Sequence, residues 1–286
     1  MCDLPLAYYL FKAVNNNLKV VLVGDTNQLP SIGPGNVLRN LIDSDVIPTT
    51  ELEDNFRQAQ GSKIISLANE ISKGNIPYLD SENDFEYENI SKIEPLSYIL
   101  DIFKNLSSDF NIFDLQVITH MNRGELGVNN LNNKIQDYVN PKSGDENQLG
   151  KFRYKDKVMV TKNNYNKMVF NGDMGAITNI DNGKKELTIR LLHNNKVVKF
   201  SEKELKYLDL AYACSIHKSQ GSEFPYVIMI LDRSHKIMLK RNLLYTGITR
   251  AQKKLLLMTE LWIFKEAIEN NNVKDRNSGL KEWLSK

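Results

Sequence analysis

The chain has 286 residues, 41% hydrophobic and 25% charged, with 37 Lys and Arg against 35 Asp and Glu for a net charge of +2. That balance is ordinary for a folded protein with room for more than one core, and it excludes a histone-like or polybasic chain, though not a local basic groove. Cys2 and Cys214 make no metal-ligand spacing, no apolar run approaches a membrane span and no signal-peptide pattern opens the chain, so a reduced, cytoplasmic protein is expected.

In chain order, Asp3 is placed to cap a helix through Ala13, with Pro5 tolerated in its first turn and Leu6, Leu10 and Val14 on one face. Residues 19–23 form an unbroken apolar run ending at Gly24 and Asp25, the pattern of a strand buried on both faces of a parallel sheet. One helix and one strand cannot make a sheet, so this opening reads as the tail of a larger unit. Residues 62–73 follow a helical period through Ile64, Ile65, Ala68 and Ile71. Residues 115–119 read as a buried strand, 127–139 as a helix, 226–231 and 255–258 as strands, and 239–249 as a helix between them. Strands alternating with helices predict an α/β fold with a mainly parallel sheet. Residues 151–206 break the rhythm with β-rich runs at 157–160, 176–180, 187–192 and 197–200. Turn signals such as Asn171-Gly172-Asp173 separate them, and together they predict a small inserted β-barrel.

Four segments carry candidate chemistry. Gly24-Asp25-Thr26-Asn27-Gln28 follows the first apolar run, at the strand end where α/β sheets place ligands. There a neutral glutamine can orient a water or touch a terminal phosphate, although a Pro/Gly turn alone would explain the segment equally well. The others are Asn55-Phe56-Arg57-Gln58, the stretch from Ala211 to Glu223, and Leu243 to Ala251.

In order and wording, these four segments resemble motifs III to VI of superfamily 1 DNA helicases, closest to the RecD-like branch. Residues 124–141 and the Asn163-Asn164-Tyr165 and Phe170-Asn171-Gly172-Asp173 runs resemble the same branch, so the likeness spans almost the whole chain. The resemblance implies two RecA-like domains with ATP between them and single-stranded DNA across both. On that reading residues 1–55 are the end of the first domain, 56–150 and 207–286 form the second, and 151–206 are an inserted Src-homology-3-like barrel. It implies that Gln28 senses the terminal phosphate or its attacking water, and that Arg57 and Arg250 neutralise charge developing there. Such arginines accelerate phosphoryl transfer by roughly 10³ to 10⁵. Gly24, Asp25, Gln220 and Gly221 would border the nucleotide and Glu223 would accept from its ribose. Thr119, Ser215 and His217, and less firmly Asn171, would meet DNA.

The phosphate-gripping Gly-x-x-x-x-Gly-Lys-Ser/Thr sequence and the Asp-Glu pair that holds magnesium do not occur among the 286 residues. The expectation is therefore a C-terminal part of an ATP- and Mg²⁺-dependent helicase that binds neither tightly alone and does not hydrolyse ATP alone. No metal-holding residues of its own are expected. Relatives also act as subunits of recombination helicase–nucleases, so such subunits are possible partners, and no membrane partner is expected. A non-catalytic DNA- or partner-binding module, the helicase part of a conjugative relaxase, and a nuclease were the competing classes. The last lacks a carboxylate–lysine cluster in this sequence.

Overall fold

A computed structural model describes residues 2–15, 17–52, 61–106, 109–234, 239–271 and 278–285. Its centre is an all-parallel sheet in the order β1-β12-β11-β2-β10. These strands are β1 (Phe85–Glu88), β2 (Leu115–Thr119), β10 (Ala213–Ser215), β11 (Phe224–Ile230) and β12 (Ala251–Met258). Every residue of β2 is buried, Gln116 and Thr119 included, as expected for a strand covered on both faces.

Helices cover both faces. They are α3 (Lys63–Lys73), α4 (Pro95–Lys104), α5 (Val128–Val139), α6 (Arg241–Ile248) and α7 (Leu261–Glu269). Helix α3 starts where Ser62 Oγ accepts from Ile65 N (3.3 Å) and stops at Gly74, whose φ of +88° suits a residue without Cβ. Asp84 fixes that start, accepting from Lys63 N at 2.9 Å and from the Ser62 hydroxyl. Gly247 lets α6 lie against β11, because a Cβ there would stand 2.5 Å from Met229 Cε.

The predicted barrel is present as an antiparallel sheet in the order β8-β7-β6-β5-β9. Its strands are β5 (Lys157–Val160), β6 (Met174–Asp181), β7 (Glu186–Leu191), β8 (Val197–Ser201) and β9 (Leu208–Leu210), and a two-stranded ribbon of β3 (Gln148–Leu149) and β4 (Phe152–Arg153) precedes it. Strand β9 lies past residue 206 and pairs with β5, so the barrel sheet runs four residues further than the sequence suggests. Its core is continuous with one face of the parallel sheet: Val158, Ile177, Leu187 and Ile189 share a cluster with Leu115, Val117, Leu131 and Ile228.

The first 43 residues depart from the sequence reading. Asp3 caps α1 (Leu4–Ala13) as expected, its carboxylate accepting from Leu6 N at 2.9 Å. The apolar stripe of that helix faces outward, however, with Leu6 and Leu10 exposed and Ala7 buried. Residues 19–23 form no strand, and Val21 and Val23 are 73% and 90% exposed. A doubly buried strand needs neighbours on both edges, and none of the described strands pairs with this segment. Helix α2 (Val37–Asp43) instead builds a small separate cluster. In it Ala7, Val37 and Leu41 pack with Leu4 and with Leu280 and Leu284 of the C-terminal helix α8 (Leu280–Leu284). Among the described residues no helix is long and apolar enough to cross a membrane.

Candidate nucleotide cleft and strand-end surface

The segment from Gly24 to Leu41 faces the parallel-sheet unit across a cavity of about 450 Å³. Gly24, Asp25, Gln28 and Arg39 line one wall, and Gln220, Gly221 and Asn242 the other. The sequence thus brings together Gly24, Asp25, Gln28, Gln220 and Gly221 from its expected nucleotide-binding set. Arg57 falls outside the described residues.

The two walls meet at Leu29. Its carbonyl accepts from Gln220 Nε2 (2.9 Å), and its N–H donates to Thr246 Oγ1 (2.9 Å). Thr246 in turn donates to the Asn242 carbonyl at 2.7 Å. Because Leu29 O can only accept, the Gln220 amide is fixed in orientation, and its Oε1 is buried without a partner. Asn242 Oδ1 is buried and unpartnered too. Gln220 therefore acts here as a clamp on the opposite wall. On the first wall Asp25 accepts from Asn27 N (2.9 Å) and Gln28 Nε2 (3.1 Å), which closes the turn after Gly24. Gly221 has φ +81° with open space around its α-carbon, so the turn after Gln220 leaves backbone bare toward the cavity.

Arg250 is turned into the protein. Its Nε donates to Thr246 O (2.9 Å), NH1 to Ser222 O (2.9 Å) and NH2 to Thr249 Oγ1 (3.1 Å). Asn242, Thr246 and Arg250 recur every four residues, a polar stripe that runs along α6 and past its end. That spacing was readable, yet Asn242 and Thr246 were not singled out from it. Glu223 accepts from Gln252 Nε2 at 3.2 Å.

Asp25 is the single carboxylate and Arg39 the single cation among the described residues lining the cavity. Both Asp25 oxygens already hold donors, and among the described residues no three His, Cys, Asp or Glu side chains converge. One arginine and bare backbone do not fit a magnesium triphosphate by themselves.

A second group gathers at the carboxyl ends of the parallel strands. Register pairs Ser215 with Thr119 and Thr119 with Ile230, so both hydroxyl residues end adjacent strands. Thr119 is fully buried and its Oγ1 lacks a partner, whereas Ser215 Oγ accepts from Lys218 N at 3.3 Å. His217 follows in the next turn, and partial burial lowers its pKa below the usual imidazole value. The neighbouring His120, not anticipated from the sequence, is buried with Nε2 2.9 Å from Ser234 O and Nδ1 unpartnered. Asn171 lies apart from this group, on an exposed barrel turn where its N–H donates to Asn163 Oδ1 (2.8 Å).

Comparison with known proteins finds three family models along the chain. An AAA domain family matches residues 1–89, the SH3 domain family of ATP-dependent RecD-like DNA helicases matches 131–191, and the UvrD-like helicase C-terminal domain family matches 210–258. The ATP-dependent RecD2 DNA helicase of Deinococcus radiodurans is 34% identical over 246 residues, covering 86% of this chain and 33% of that protein. The RecBCD enzyme subunit RecD of Buchnera aphidicola is 27% identical over 338 residues, covering 96% and 54%. The chain thus spans a third to about half the length of these relatives. In fold it is similar to the Pif1 helicase from Bacteroides crystallised with ADP-AlF3 and single-stranded DNA, with a TM-score of 0.51 at 18% identity, covering 82% of this chain and 60% of that one. With RecD-like and UvrD-like helicase domain families matched in its barrel and after it, and a RecD2 DNA helicase 34% identical over 86% of its length, the chain belongs to the RecD-like helicases.

Proposed function

We propose that the chain supplies the second half of an ATP-dependent helicase motor that moves on single-stranded DNA during recombination or repair. The observation that carries this is the clamp at Leu29, where both halves of a cleft meet through Gln220 and Thr246. The likeness to the RecD2 DNA helicase and to the DNA-bound Pif1 fold supports the same reading. In it, Gln28 meets the terminal phosphate or its water, Gln220 and Gly221 follow the state of the cleft, and Glu223 accepts from the ribose. Arg57 would neutralise developing charge, and Arg250 would join it by exchanging Ser222 and Thr249 for phosphate oxygens. ATP with magnesium is the energy source of the whole motor, and their phosphate and metal cradle comes from residues this sequence does not contain.

Ser215 and His217 are the proposed DNA contacts, at a strand end adjoining the cleft-lining turn so that cleft closure and strand grip are coupled; the buried Thr119 would brace the adjacent strand end, and Asn171 would extend the track onto the barrel. RecD subunits of RecBCD among the relatives make a multi-subunit recombination enzyme the proposed assembly.

The test is fluorescence anisotropy of a labelled oligonucleotide over a range of salt, with ATP hydrolysis measured in the same samples. Binding that weakens as salt rises, without hydrolysis, is expected from phosphate contacts lacking a phosphate cradle. DNA-stimulated hydrolysis abolished by Gln28→Ala would overturn the half-motor reading, and salt-independent tight binding would overturn the DNA contacts.

A further inference from the structure

Asp156 and Lys157, consecutive residues where the barrel begins, are both fully buried. Their side chains reach different parts of the parallel-sheet unit. Lys157 Nζ donates to Phe113 O and Leu115 O, each at 3.0 Å, and stands 5.7 Å from the Phe224 ring centroid. Those carbonyls lie at the leading end of β2, the strand whose far end carries Thr119. Among the described residues no carboxylate pairs with this ammonium within 4.0 Å.

Asp156 gathers four donors from three places. Gln136 Nε2 (2.6 Å) and Asn140 Nδ2 (2.7 Å) come from α5 and its end, Arg153 N (2.7 Å) from the end of β4, and Tyr212 Oη (3.0 Å) from the link between β9 and β10. One residue further on, Asn132 grips Ala213 at both ends, donating to its carbonyl and accepting from its N–H at 2.9 Å each. The strand so held, β10, leads directly to Ser215 and the cleft-lining turn.

Apolar packing joins barrel and sheet but has no direction of its own, and a buried ammonium without a counter-ion is costly compared with an apolar side chain of equal size. What the charge adds is geometry, since two fixed carbonyls and four converging donors admit one placement. We propose that Lys157 and Asp156 are positioning residues that lock the barrel in one orientation on the parallel sheet. The barrel and the second half then turn as one rigid body, and relative motion is confined to the cleft at Leu29. This lock holds whether or not the chain binds DNA.

The experiment is a pulsed electron–electron distance measurement between nitroxides at Lys184 on the barrel and Lys104 at the end of α4, in a Cys2→Ser background. One narrow distance is expected for the parent chain. Lys157→Met should remain folded by circular dichroism with an unfolding midpoint at or above the parent's, yet broaden the distribution at least twofold. An unchanged narrow distribution in folded Lys157→Met overturns the proposal. If that variant does not fold, Tyr212→Phe, which removes one hydroxyl, decides in its place: broadening supports the lock and an unchanged width overturns it.

Discussion

Gln220 Nε2 reaches the Leu29 carbonyl at 2.9 Å across 191 residues of sequence, and on the other side of the same peptide Thr246 Oγ1 takes the Leu29 N–H. The turn that lines one wall of the cleft is therefore held at a single residue by two side chains of the other wall. Each partner of Leu29 belongs to a different sequence segment, so any change in cleft width must stretch at least one of these bonds.

Thr246→Val keeps the shape of a fully buried side chain and removes the acceptor for Leu29 N. The loss of about 1–3 kcal/mol expected for an unsatisfied buried donor should appear in urea unfolding, and Thr246→Ser should restore most of it. Equal stability of the Val variant would show that Leu29 is not held there.

Arg250→Ala should destabilise this chain even without nucleotide. Three acceptors, Thr246 O, Ser222 O and Thr249 Oγ1, lose a charged donor together, at a cost of about 3 kcal/mol or more. Chemical unfolding measures it. An inactive Arg250→Ala variant of a complete motor would thus report on folding as well as on phosphate contact.

Burial lowers the Lys157 pKa from 10.5 to about 8. Between those values the unfolded chain holds the proton that the folded chain has released, so this residue makes the protein more stable as pH rises from 8 toward 10.5. The gain amounts to about 3 kcal/mol. Unfolding free energies at pH 7.5, 9 and 10.5 should show a rise in the parent chain that is absent from Lys157→Met. Parallel curves for the two proteins would contradict the sign.

Two glycines should tolerate alanine unequally. At Gly247 the new methyl would meet Met229 Cε at 2.5 Å, the far end of a side chain that can shift in part. At Gly175 it would meet Ile189 Cγ2 at 2.4 Å and the backbone oxygen of Arg190 at 2.7 Å, which cannot move without disturbing the β6–β7 pairing. Thermal unfolding should show a loss of about 1–3 kcal/mol for Gly247→Ala and a larger one for Gly175→Ala.

Elements whose burial is satisfied by their own sequence neighbourhood were legible. Strand β2 and helix α3 appear where a mostly apolar run and a helical period through Ile64, Ile65, Ala68 and Ile71 placed them. Residues 19–23 carry a more continuous apolar run but form no strand, because propensity names a strand without supplying its hydrogen-bonding partners. Strand β1, with sequence Phe-Glu-Tyr-Glu at a sheet edge, was missed because only Phe85 is buried and an edge strand needs no longer apolar signal. In the cleft, residue types marked the place of Gln28, Gln220 and Gly221 but not the direction of their bonds. Arg250 shows the limit: its place just past the predicted helix was legible, while its inward turn follows from acceptors that only the folded helix end and the turn at Ser222 create.

The small cluster of Ala7, Val37 and Leu41 with Leu280 and Leu284 joins α1 and α2 to α8, beside an Asn40–Ser278 hydrogen bond that spans 238 residues of sequence. During synthesis on a ribosome, α1 and α2 emerge long before the residues that complete their apolar cover. Until residues 280–284 have been made, this patch is open to chaperones and to neighbouring nascent chains.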